Sequence, residues 1–226
     1  MTHKVFWENP YLTDLSTKVT KVEGPDITVK ETIFYAFSGG QESDFGTIGG
    51  YQVLQATKQE KTIVYTLGNS HHLKSGDSVR MSIDWPRRYR LMRLHFAAEV
   101  VLELIPGIEK IGAHISERKA RIEFLWPHSL AEILPQIQAD ANQLVESDQA
   151  VISAFSDEKA EQRYWKVDGF AQVPCGGTHI RKTSEVGEVR LKRKTGGKGK
   201  ERVEIYISDQ VREDSSFNYD EAKACR

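Results

Sequence analysis

Residues 27–35 read Ile-Thr-Val-Lys-Glu-Thr-Ile-Phe-Tyr, β-branched and aromatic side chains in rough alternation with polar ones, the period of a half-buried strand. Residues 52–55 and 61–66 continue the pattern, and a turn at 74–79 leads into a further strand that ends at Asp84. Between the first two runs lies a glycine-rich segment, residues 38–50. Short strands separated by Gly, Asn and Asp turns predict a small β-barrel or sandwich.

From Arg87 the period changes. Leu91, Leu94, Ala98, Val101 and Leu102 recur at helical spacing, with Pro86 in a place that a first helical turn tolerates and Pro106-Gly107 as a stop. Residues 118–125 read as a strand, with Ala120, Ile122 and Phe124 alternating against Arg121 and Glu123. A second helix is expected over 129–145, with Pro135 kinking or breaking it, and a shorter helical segment over 157–163. Strands at 188–192 and 202–207, joined by a glycine-lysine loop at 194–200, close the chain. The whole reads as α+β, with the change of character near Trp85.

The chain has 226 residues, 39% hydrophobic and 28% charged, ordinary values for a globular protein with one large or two small domains. Lys plus Arg is 31 against 32 acidic residues, which excludes a strongly basic nucleic-acid coat protein and leaves room for a local basic patch. No run approaches 18 apolar residues, so no membrane span is expected. The first residues lack the basic start and apolar run of a signal peptide. The two cysteines, Cys175 and the penultimate Cys225, make a structural disulfide improbable on position and point to a reducing, cytoplasmic setting.

Candidate chemistry comes from two short-range pairs. His95 and Glu99 are four apart on the first helix, hence on one face. Cys175 and His179 are also four apart, with Gly176-Gly177 between them favouring a tight turn. Imidazole, thiolate and carboxylate all ligate zinc, and two such pairs can build a tetrahedral site. The alternative on spacing alone is a surface pair on the helix and a buried free thiol beside a turn.

The surrounding residues carry a resemblance. Ile83-Asp84-Trp85-Pro86-Arg87-Arg88-Tyr89-Arg90-Leu91-Met92-Arg93-Leu94-His95 resembles the entry to the zinc-bearing helix of the AlaX-type alanyl-tRNA editing proteins, free-standing relatives of the editing domain of alanyl-tRNA synthetase. Val173-Pro174-Cys175-Gly176-Gly177-Thr178-His179-Ile180-Arg181 is similar to their second metal motif, and Gly39-Gly40-Gln41 with Ser43-Asp44 and Gly46 to the glycine motif of the longer members. Gly187-Glu188-Val189 and the run from Gly199-Lys200 to Ile205-Tyr206 fit the same pattern. The chain departs from it at Ser38, where a third glycine is usual, at Glu42, where a proline is usual, and at Glu99, where the family's helix has its second histidine.

The resemblance implies an N-terminal β-barrel-like domain (1–85) and a zinc-bearing α+β editing domain (86–226) with an antiparallel sheet packed on a long helix. It implies a zinc-dependent hydrolase that removes a wrong amino acid, serine and sometimes glycine, from tRNA for alanine. An alanine pocket cannot strongly exclude either, so a second site must correct the errors. His95, Cys175 and His179 are then metal ligands. Glu99 is a fourth ligand, a catalytic base beside three ligands and an open position, or the mark of a site that has lost metal and activity. Gln41 is a candidate catalytic and substrate-binding residue, with Gly39, Gly40, His114 and Thr178 beside the substrate. Arg88 at the helix start and Lys192, Arg193, Lys194, Lys198 and Lys200 at the closing hairpin are candidates for tRNA phosphates. Two other readings stay open: a tRNA-binding module that kept the fold without catalysis, and a zinc hydrolase of another small ester or amide.

Overall fold

A computed structural model describes residues 1–68, 70–105, 107–197 and 199–209. The chain divides into two compact units: Met1–Ser38 with Glu42–Tyr89, and Gly39–Gln41 with Arg90 onward. The division falls inside the first helix, past the expected turn at Trp85. Three residues of the glycine segment, expected with the first part, group with the second unit.

In the first unit β1 (His3–Lys4), β2 (Asp14–Glu23), β3 (Asp26–Val29), β4 (Glu31–Thr32), β5 (Gly46–Ile48), β6 (Tyr51–Gln59), β7 (Thr62–Leu67) and β8 (Ser78–Ile83) follow one another. Pairing runs β2-β3-β7-β6-β5-β8 and returns to β2, closing a barrel. The alternation explains the closure. Ile63, Tyr65 and Leu67 of β7 and Val79, Met81 and Ile83 of β8 point inward and are buried, so each strand hides one face and wets the other. The Tyr65 hydroxyl, in mid-core, is paired with Thr32 Oγ1 at 2.6 Å, as a buried phenol requires.

Arg88 corrects an expectation. Placed in the sequence among cations that would face phosphate, it is fully buried within this unit. Its guanidinium donates to both oxygens of Asp44, to Ile33 O at 2.6 Å and to Pro10 O at 3.0 Å. Asp44 in turn accepts from Tyr35 N at 2.6 Å. Such a pair survives burial because nearly every donor and lone pair is satisfied, and a guanidinium with no exposed surface is out of reach of RNA.

The long helix α1 (Trp85–Glu103) has 19 residues. In its second-unit portion residues 91–98 are all buried, so it is a central helix covered all round, not an amphipathic surface one. The second unit continues with β9 (Glu109–Ile115), β10 (Ala120–Leu125), α2 (Leu134–Glu146), β11 (Ile152–Asp157), β12 (Gln162–Val167), β13 (Ala171–Pro174), β14 (Val189–Gly197) and β15 (Lys200–Ile207). Two antiparallel sheets result, β14-β15-β10-β9 and β11-β12-β13. Pro135 does not kink α2. It occupies the first turn, where its missing N–H has no partner to lose, and the helix starts there instead of at Ser129. The helical segment expected over 157–163 is the β11–β12 hairpin, its turn closed by Glu161 at φ 57°.

Helix α2 lies along the edge strand β14. Gln138 Oε1 accepts from Leu191 N at 2.7 Å, and Asn142 exchanges hydrogen bonds with Val189 N and O at 2.8 and 2.9 Å. Two amide side chains one turn apart thus stand in for a neighbouring strand.

Candidate metal centre

The cluster lies within the second unit. His95 comes from the middle of α1, Cys175 from the residue after β13, and His179 from the loop that follows. Cys175 N donates to Arg163 O at 2.8 Å, carrying the β12–β13 ladder one residue past the strand and fixing where the sulfur begins. After His179 the chain is tied down by Val151 N to Arg181 O at 2.8 Å and Thr183 N to Gln149 O at 2.9 Å. One donor atom each from His95, Cys175 and His179 lies within 4.8 Å of the others, the one such grouping among the described residues. His95 and His179 are both 3% exposed, which removes the alternative of a surface pair on the helix. Cys175 is a free thiol; Cys225 and Lys198 lie outside the described residues.

Each imidazole has one nitrogen held and one turned to the cluster. His95 Nδ1 donates to Gln41 Oε1 at 2.5 Å, while Nε2 is 3.3 Å from Cys175 Sγ and 3.5 Å from Glu99 Oε1. His179 Nδ1 is 3.1 Å from Ser153 Oγ, and its Nε2 is buried with no hydrogen-bond partner. A buried, unpartnered ring nitrogen beside a thiol and a second imidazole is what a soft or borderline cation completes. Neighbouring ligand atoms on one zinc ion are about 3.3–3.6 Å apart, so the His95–Cys175 edge already has the required length. The donor set fits the metal.

The electrostatics agree. Burial pulls His95 down, but Cys175 and then Glu99 outweigh it and push its pKa up to about 10. His179 is held well below its ordinary value by burial, then by the charges of His95 and Arg163. Burial raises Glu99, and His95, the Trp165 indole and Lys110 together overcome it, so its carboxyl lies below the ordinary value. A bound cation would take the place of the proton that Cys175 and Glu99 favour on the His95 ring. Glu99 is not one of the three grouped donors; Trp165 Nε1 reaches its Oε2 at 3.4 Å.

Gln41 is fully buried. Its Oε1 also lies 3.4 Å from Thr178 N, and its Nε2 donates to Thr178 Oγ1 at 2.9 Å. The amide expected at the substrate is thus engaged inside the protein, and it positions His95. Thr178 bonds to Gln41; the hydroxyl that holds His179 belongs to Ser153. Gly40, at φ +86°, lies against β9, where a Cβ would come within 2.5 Å of Ala113 O, and Ile115 N donates to Gly40 O at 2.8 Å. Gly39 has φ +59° and open space where a side chain would stand. His114 is half-buried on β9 opposite Arg121, and strand alternation turns it away from the face of Ala113 and Ile115. Gly177 has the tightest demand: a Cβ there would lie 2.0 Å from His95 Cε1.

The residues missed in the sequence are Ser153, Arg163 and Trp165. Arg163 is 5% exposed, its Nη1 is 3.4 Å from Gly177 O, and it lies over the Phe155 ring. The inward alternation Arg163, Trp165, Val167 is the sequence signal for a strand here, and it runs against the helix expected over 157–163. Of the hairpin cations, Lys192, Lys194 and Lys200 are exposed. Arg193 points to the other face and forms a two-pronged pair with Glu201 at 2.5 and 2.7 Å.

A family model described as the threonyl and alanyl tRNA synthetase second additional domain matches residues 166–204, the span holding Cys175 and His179. The chain is 31% identical over 215 residues to the alanyl-tRNA editing protein AlaX-M of Pyrococcus horikoshii, covering 92% of this chain and 98% of that protein. It is 28% identical over 243 residues to AlaX-M of Methanosarcina mazei, covering 92% and 96%. An alanine–tRNA ligase of Methanococcus maripaludis is 29% identical over 228 residues, 90% of this chain and 26% of the ligase. The match is thus to a synthetase-related domain first, and over its full length to a free-standing form of it. The chain belongs to the AlaX-M family of alanyl-tRNA editing proteins. Among the described residues no helix is long and apolar enough to cross a membrane.

Proposed function

We propose that the protein hydrolyses the ester between a wrongly attached amino acid and the 3′-terminal ribose of tRNA for alanine, acting in trans, with serine as the main amino acid removed and glycine as a second. The observation that carries this reading is the buried His95–Cys175–His179 cluster with its unpartnered His179 Nε2, in a chain that aligns nearly end to end with an editing protein. His95, Cys175 and His179 would hold zinc through two nitrogens and a sulfur. Bound there, zinc supplies a Lewis acid for the ester carbonyl or for water.

The chain's own residues prepare the site. Gln41 accepts the Nδ1 proton of His95, which leaves Nε2 as the ligand nitrogen, and Ser153 does the same service at Nδ1 of His179. Glu99, kept ionised by its neighbours and steadied by Trp165, serves as the base that takes the proton of the attacking water at Oε1. Three protein donors with a carboxylate alongside would match the donor set of catalytic rather than structural zinc. Gly39, with no atom within 4 Å of its missing side chain, leaves room for the aminoacyl group.

The test is release of serine from seryl-tRNA for alanine, with and without chelator, against alanyl-tRNA as control. Chelator-sensitive hydrolysis that spares the alanyl ester is the expected result. A folded, zinc-loaded protein that leaves the seryl ester intact would overturn the proposal.

A further inference from the structure

The pleat sorts the cations of the four-stranded sheet onto one face. Val189, Val203, Ile205, Ala120 and Ile122 are buried on the inner side. Lys192, Lys194, Arg202 and Arg121, at the alternate positions, stand outward and are exposed or half-buried. Register makes rows of them. Lys194 lies directly opposite Arg202, which lies opposite Glu123; Lys192 lies opposite Glu204, which lies opposite Arg121. Lys119 adds a fifth cation through its 2.5 Å pair with Glu204. Two carboxylates, Glu123 and Glu204, face these five cations, so the surface keeps a net positive charge.

One feature of this face works against folding stability. Lys194 and Arg202 are like charges directly opposite each other on paired strands, an arrangement that destabilises a sheet. Lys192 and Lys119 both lie over the one Tyr206 ring, at 5.1 and 5.8 Å, gathering positive charge at the centre of the face. A solvated surface with no partner gains nothing from the Lys194–Arg202 opposition. A polyanion supplies the missing counter-charge, and its phosphates are spread along a strand as these cations are spread along the sheet.

We propose that the outward face of this sheet binds the phosphate backbone of the RNA substrate, through Lys192, Lys194, Arg202, Arg121 and Lys119, with Arg193 excluded. The proposal rests on the tRNA reading above and assigns it a surface. The test compares the wild type, a Lys192→Ala/Lys194→Ala double variant, and a Lys18→Ala/Lys30→Ala control with equal loss of charge on exposed positions of the other unit. Binding of unacylated tRNA for alanine is measured against salt, and each protein is assayed on a seryl ester of adenosine, which has the reacting bond and no phosphate chain.

The expected result is at least about a tenfold loss of tRNA affinity in the sheet variant and a shallower dependence of log K on log salt, by about 2. The adenosine ester should be cleaved as by the wild type, and the control should match the wild type throughout. Unchanged affinity and slope in the sheet variant would overturn the surface assignment while leaving the hydrolase standing. A wild type that cleaves the small ester and does not bind tRNA would overturn the surface and the tRNA substrate together. Equal weakening in sheet variant and control would also count against this face, since it would reduce the effect to net charge.

Discussion

Gln41 Oε1 accepts a 2.5 Å hydrogen bond from Nδ1 of His95, 54 residues further along the chain. The glycine segment and the metal-bearing helix are thereby one device: the first decides which nitrogen of the second faces the cluster. Replacing Gln41 by Met keeps the length and removes the acceptor. Zinc affinity, measured by competition with a chromogenic chelator, is expected to fall about 10–100-fold, the usual effect of losing such a partner. Gln41→Glu retains an acceptor oxygen and is expected to lose less.

Gly177→Ala is expected to cost the protein its metal and leave the rest folded. The added methyl carbon would begin 2.0 Å from His95 Cε1, and that ring is held at Nδ1 by Gln41. Zinc content per chain, read together with an unchanged far-ultraviolet spectrum, checks this. A variant with full zinc would show that the ring can move aside.

Glu99→Gln separates the two working roles of the carboxylate. As a base, Glu99 is needed for turnover and not for holding the metal, so activity should fall about 10²–10⁴-fold with zinc retained. Zinc lost along with activity would make it a ligand instead. Normal activity with normal zinc would exclude both.

Acid sensitivity has an identifiable contributor at the closing hairpin. Glu201 is 5% exposed, takes both prongs of Arg193 and lies 3.4 Å from Leu130 N. Pairing with Arg193, chiefly, holds its carboxyl below the ordinary value. A depressed folded pKa contributes stability that is present above the unfolded value, near pH 4.5, and is lost as pH falls through the folded one. Glu201→Gln should therefore lower the urea midpoint at pH 7 and flatten the fall in midpoint below pH 4.5.

Arg88→Leu is expected to destabilise the first unit by about 3–5 kcal/mol, because Asp44 would be left buried and charged. Arg88→Leu with Asp44→Asn should recover part of the loss. In either variant that remains folded, the salt dependence of tRNA binding should equal that of the wild type, since the guanidinium makes no surface contact.

The sequence shows the metal donors more plainly than the network around them. Cys175-Gly176-Gly177-Thr178-His179 keeps its meaning in one short stretch, and His95 lies in a helix whose period is plain. Ser153 reaches His179 only because Val151 pairs with Arg181 across 30 residues, and no local pattern announces that. Strands such as β7 and β15 are legible because one face of each is buried. β9 and β11 have few fully buried positions and so show no alternation. The cations at the start of α1 look alike in sequence. Asp44, 44 residues upstream of Arg88 and buried itself, decides that Arg88 turns inward.

The amides of α2 have a consequence for how the protein keeps to itself. An uncovered strand at the margin of a sheet offers its peptide groups to any other chain with a free margin of its own. Along Val189 and Leu191 those groups are already engaged by Asn142 and Gln138, so this margin is closed to a second molecule as long as the helix stays in place. Loosening α2 by truncating those two amides would open the seam, and self-association during folding would follow before any loss at the metal centre.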